Sequence, residues 1–123
     1  MEKKFEKEFV PVDLALRLKA LRFDEPCMAS RDMGNNHGLI QVPTWQSAFR
    51  WFREKYNLVH TVYSNASGYI WELHYNKERG GTHICDSGES GDCEMSGMFT
   101  TYEKAEISCL TKLIEIVENE KML

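Results

Sequence analysis

Apolar side chains fall at helical spacing in three stretches of the chain and alternate with polar ones in between. Leu14, Ala15, Leu18 and Leu21 make the first stripe, with Arg17 and Arg22 turned away. Pro11 suits a first helical turn, and Asp13 adds negative charge where the helix dipole favours it. Asp24-Glu25-Pro26 predicts the end of this helix, because the residue before a proline resists α geometry. In the second stripe Trp45, Ala48, Phe49, Phe52 and Tyr56 lie at i, i+3, i+4, i+7 and i+11, opened by Pro43-Thr44 and stopped by Asn57. The third is broad: Tyr102, Ala105, Cys109, Leu110, Leu113, Ile114, Ile116 and Val117, with Lys104, Ser108, Thr111, Glu115 and Glu118 opposite. Thr100 and Glu103 stand three apart, as a capping box requires.

The intervening segments read as strands. Residues 27–31 and 39–42 flank Asp32-Met33-Gly34-Asn35-Asn36-His37-Gly38, a loop rich in residues that tolerate positive φ. Residues 58–63 and 69–75 follow, with Tyr69, Trp71, Leu73 and Tyr75 alternating with Ile70, Glu72 and His74. A turn at residues 77–81 leads to a third strand near residues 82–85, and the glycine- and acid-rich residues 86–97 read as a solvated loop. The order α-β-β-α-β-β-β-α predicts an α+β fold, with one antiparallel sheet of about five strands under three helices. Residues 1–8 form a flexible lead-in and residues 9–123 a single domain.

At 123 residues the chain has room for one core, and 42% hydrophobic with 28% charged residues is globular composition. A formal net charge of −4 argues against generic binding to nucleic acid polymers or an anionic membrane. No apolar run approaches the ~20 residues that span a bilayer. The charged start Met1-Glu2-Lys3-Lys4 lacks the apolar core of a signal peptide, which places the protein in the cytoplasm with its four cysteines as thiols. The sequon Asn65-Ala66-Ser67 then has no secretory route to act on.

Chemistry-bearing clusters are sparse. His74, His83, Cys85 and Cys93 carry zinc-type donors, but no C-x₂-C pair brings two sulfurs onto one ion, so no metal is assigned. The run Asp86-Ser87-Gly88-Glu89-Ser90-Gly91-Asp92 lacks the alternation of a calcium loop. No nucleophile elbow, phosphate-cradling loop or dinucleotide fingerprint is present, so no catalytic residue and no cofactor are expected. Arg50, Trp51 and Arg53 lie outside the apolar stripe of the second helix. A tryptophan between two guanidinium groups is suited to stack on a ring while the arginines pair with phosphate. The competing reading of Trp51 is a cap on the edge of the core.

Three stretches, LKALRFDEPC (residues 18–27), WQSAFRWFREKY (45–56) and YEKAEISCLTKLIEI (102–116), resemble small uncharacterised proteins of phages and prophages of gut Bacteroidales. The resemblance implies a phage-type accessory protein, acting in the host cytoplasm, and carries over no catalytic residue. Many such proteins counter host defence. Together these features define the expectation of a non-enzymatic protein that binds and sequesters a small anionic, nucleotide-like ligand through Arg50, Trp51 and Arg53. The alternative is a protein–protein interaction module, an inhibitor of a host enzyme or an assembly accessory. A homodimer is expected, with the ligand site near its interface and Trp51 close by.

Overall fold

The computed structural model describes residues 8–27, 29–34, 38–65, 68–75, 82–84 and 99–122. The elements are α1 (Val12–Ala20), β1 (Ala29–Asp32), β2 (Leu39–Val42), α2 (Trp45–Tyr56), β3 (Leu58–Asn65), β4 (Gly68–Tyr75), β5 (Thr82–Ile84) and α3 (Tyr102–Met122). The class is α+β, and every strand pairing is antiparallel.

The strands form two sheets and not the expected single one. β1 and β2 make a two-stranded ribbon, while β3, β4 and β5 make a second sheet with β4 in the middle. The physical reason lies in α2, which begins three residues after β2 and leads straight into β3. Thr44 caps α2 by accepting the Ser47 N–H at 3.1 Å, and Asn57 ends it at φ 58° and ψ 29°. The chain thus spends its two junctions on a helix, and β2 never runs beside β3. The extended start of the domain is tied to the same junction. Val10 N–H donates to the Pro43 carbonyl at 2.9 Å and Trp45 N–H to the Glu8 carbonyl at 3.1 Å. Glu8, expected in the lead-in, is therefore held; residues 1–7 lie outside the described residues.

α1 stops at Ala20, before the Asp24-Glu25-Pro26 stop. Arg22 takes φ 69°, and the N–H groups of Phe23 and Arg22 close on the carbonyls of Leu18 (3.0 Å) and Lys19 (2.9 Å). This is a Schellman end with arginine where glycine is usual. At α3 the cap is Thr101, whose hydroxyl accepts the Lys104 N–H at 3.1 Å, one residue later than the expected Thr100.

In the larger sheet the register puts Leu58, His60 and Val62 on the same face as Leu73, Trp71 and Tyr69. α2 packs on β3, and α3 packs on β3 and β4. The core is closed by Phe52, Leu58, Trp71, Leu73, Leu110, Leu113, Ile114 and Val117, all buried. Trp71 donates its indole N–H to the Ser108 hydroxyl at 3.0 Å, so Ser108 faces the sheet and not open solvent. Arg17 of α1 reaches Glu118 of α3 at 2.7 Å. No described helix is long and apolar enough to cross a membrane.

Candidate functional site

The three residues proposed from sequence do not share a surface. Successive helical residues turn by ~100°, so neighbours at i and i+1 or i and i+2 face different ways. Trp51 is 3% exposed and packs inside the protomer, a correction to its expected role on an open face. Its indole donates to Asp24 at 3.0 Å, Phe23 and Tyr56 meet it edge-on at 5.3 and 5.4 Å, and Lys55 Nζ sits 5.1 Å from its ring centre. The ring faces expected to stack on a ligand are thereby packed against its own chain.

Arg50 and Arg53 lie on a different side of α2. With Gln46 they recur at i, i+4 and i+7, beside Trp45 and Phe49. They open onto a cleft of about 420 Å³ whose wall is Trp45, Gln46, Phe49, Arg50 and Arg53 of α2, His60 of β3, and Tyr102 and Glu106 of α3. A second hollow of about 440 Å³ shares Trp45, Gln46, Tyr102 and Glu106 and adds Glu8, Thr44 and Glu103. Both volumes suit a small organic molecule. One end of the combined groove is basic and the other acidic.

The aromatic wall is ordered. Phe49 is the middle of a stack, with Trp45 at 5.9 Å and 22° on one side and His60 at 3.6 Å and 9° on the other. Tyr102 stands perpendicular to Tyr69 at 5.8 Å. Tyr69 is fixed by a mutual pair of backbone hydrogen bonds with Phe99, at 2.9 and 2.8 Å, which delivers the chain to the start of α3.

Arg50 Nε lies 3.7 Å from Glu25 Oε1, a loose contact with the arginine side chain 46% exposed. Arg53 makes no ion pair among the described residues. Burial, with the nearby Arg53 charge, lowers the His60 pKa to about 4, so the imidazole is neutral at physiological pH. Glu106 is 9% exposed, and burial plus the neighbouring Glu103 raises its pKa to about 7. Burial also pushes the Tyr102 hydroxyl and the Cys109 thiol up.

His60 and Glu106 are the residues that the sequence reading missed. Each had a signal. His60 sits between Leu58 and Val62 in a period-two pattern, and Glu106 interrupts the stripe of Tyr102, Leu110, Leu113 and Val117. A polar residue inside an apolar period is the position whose burial is informative.

Of the zinc-type donors weighed from sequence and not assigned to a metal, His74 and His83 are register partners across β4 and β5. Cys85 and Cys93 lie outside the described residues. Among the described residues no group of three or more His, Cys, Asp or Glu is placed to hold an ion. Cys27 borders a separate hollow between α1 and the β1–β2 ribbon, and burial raises its thiol pKa, which opposes nucleophilic use.

Compared with known proteins, the chain matches no family model, no curated protein and no solved structure.

Proposed function

We propose that this protein binds a small anionic ligand carrying a planar ring, of nucleotide type, in the cleft between α2, β3 and α3. One observation carries the reading: two guanidinium groups, Arg50 and Arg53, share a single cleft with the Trp45–Phe49–His60 stack. Guanidinium groups pair with phosphate oxygens in a fixed fork, and Tyr102, 42% exposed on the same cleft, offers the ring surface that the buried Trp45 and Phe49 do not. Trp51 is withdrawn from the site, and Arg50 and Arg53 are retained. The reading is of binding without turnover, and in a phage setting such a protein would hold a signalling nucleotide out of reach of its host receptor.

Titration of purified protein with nucleoside monophosphates in a calorimeter tests it. Arg53→Gln should weaken binding about tenfold, the loss of one charge-assisted hydrogen bond, and Arg50→Gln somewhat less because Glu25 already competes for it. Trp51→Phe should leave affinity unchanged. The nucleotide released on denaturation should be chemically intact. Absence of binding by every nucleotide would refute the reading, and recovery of a converted product would replace a binder with an enzyme built on Glu106 and His60.

A further inference from the structure

An anionic ligand explains the arginines but not Glu106. This side chain is more than nine-tenths buried, lines both halves of the groove, and makes no hydrogen bond or ion pair among the described residues. Among the described residues no side-chain oxygen sealed from solvent lacks a partner, so the Glu106 carboxylate opens onto the groove, where a ligand that supplies donors meets it. The geometry also sets the two chemistries apart. Arg50 and Arg53 occur only in the first hollow, whereas Glu8 and Glu103 occur only in the second, and Glu106 belongs to both. A ligand spanning them presents an anion to the arginines and hydrogen-bond donors to the carboxylate.

Resting on the nucleotide-binding reading above, we propose that Glu106 selects the base, and that the base is guanine. The argument is one of complementarity. An ionised carboxylate has two parallel acceptor oxygens and no donor. The edge of guanine carries two adjacent donors, the ring N1–H and the exocyclic N2 amine, so both oxygens are used. Adenine offers its exocyclic amine beside a ring acceptor, which sets one lone pair against another. Hypoxanthine offers the ring N–H beside a C2–H, which leaves the second carboxylate oxygen without an N–H donor. A site built to accept a donor rejects the analogue that lacks it more strongly than an apolar pocket rejects a missing methylene.

The test compares GMP, IMP and AMP at pH 8 by calorimetry against wild type, Glu106→Gln and Glu106→Leu. GMP and IMP differ only in the 2-amino group. Wild type should bind GMP at least tenfold tighter than IMP or AMP. Glu106→Gln, which turns one acceptor into a donor, should bring the GMP-to-IMP preference below twofold. Glu106→Leu should do the same while melting no lower than wild type, which separates lost recognition from lost folding. Equal affinity of wild type for GMP and IMP, with both weakened by Arg53→Gln, would overturn the role of Glu106 and leave nucleotide binding standing. A tenfold preference surviving in Glu106→Gln would overturn it equally. No binding of any of the three would remove both readings.

Discussion

The indole N–H of Trp51 donates to Oδ1 of Asp24 at 3.0 Å, fastening the segment after α1 to the buried side of α2. The acceptor is exposed and the donor is 3% exposed, so the bond is anchored from the inside. Asp24→Ala should lower stability by about 1–2 kcal/mol, because a buried donor loses its partner. Asp24→Asn keeps a carbonyl oxygen in place and should recover roughly half of that. Urea unfolding of the two variants gives the comparison, and an unchanged midpoint in Asp24→Ala would show the bond to be neutral.

A second indole depends on α3. Trp71 is 2% exposed and its N–H finds the Ser108 hydroxyl at 3.0 Å. Ser108→Ala should cost about 1–3 kcal/mol through the orphaned donor. Ser108→Thr keeps the hydroxyl and should cost less. Denaturant midpoints followed by tryptophan fluorescence would read both, and equal losses in the two variants would assign the effect to packing.

Arg22 offers the opposite sign. Its φ of 69° burdens a side-chain-bearing residue with a left-handed conformation that glycine adopts freely. Arg22→Gly should stabilise the protein by about 0.5–1 kcal/mol, raising Tm by about 2–5 °C. A lowered Tm would mean that the arginine side chain contributes more than the backbone loses.

The groove predicts a pH signature. For His60 the folded pKa of about 4 lies below its ordinary 6.5, so between these values the unfolded chain binds the extra proton. Stability from this group rises with pH across that window. For Glu106 the folded pKa of about 7 lies above its ordinary 4.5, so the folded protein binds the extra proton and stability falls as pH rises. The two slopes oppose each other between pH 4.5 and 6.5. Relative to wild type, Glu106→Gln should gain stability with rising pH in that range, and His60→Gln should lose it, each by up to ~1 kcal/mol per pH unit. Chemical denaturation at pH 4.5, 5.5 and 6.5 measures both differences, and slopes of the same sign would contradict the assignment.

Much of the architecture was legible in the residues. The stripe from Trp45 to Tyr56 and its Thr44 and Asn57 ends are local facts, set by spacing and capping, and they hold in the structure. The alternation that buries Trp71 and Leu73 is equally local. What local pattern does not carry is which strands meet: residues 39–42 and 58–63 look alike in sequence, and only the helix between them separates their sheets. The site was half legible for the same reason. Arg50 and Arg53 line one cleft, as their spacing of three on a helix allows, whereas Trp51 is buried because adjacency in sequence is not adjacency on a helix. His60 and Glu106 hid inside apolar periods, and their place on one cleft between β3 and α3 is set by tertiary packing.

The separate β1–β2 ribbon gives the molecule an uneven resistance to local opening. Two strands alone are marginal in water, and this pair buries only Ile40 and Val42. Its amides should exchange with deuterium at lower protection than those of β4, which is paired on both sides. Such opening would bare Cys27 and the inner side of α1 while the groove, built on α2, β3 and α3, stays intact. The protein therefore separates a yielding edge from the groove between α2, β3 and α3, so that breathing at one end leaves the geometry of the other undisturbed.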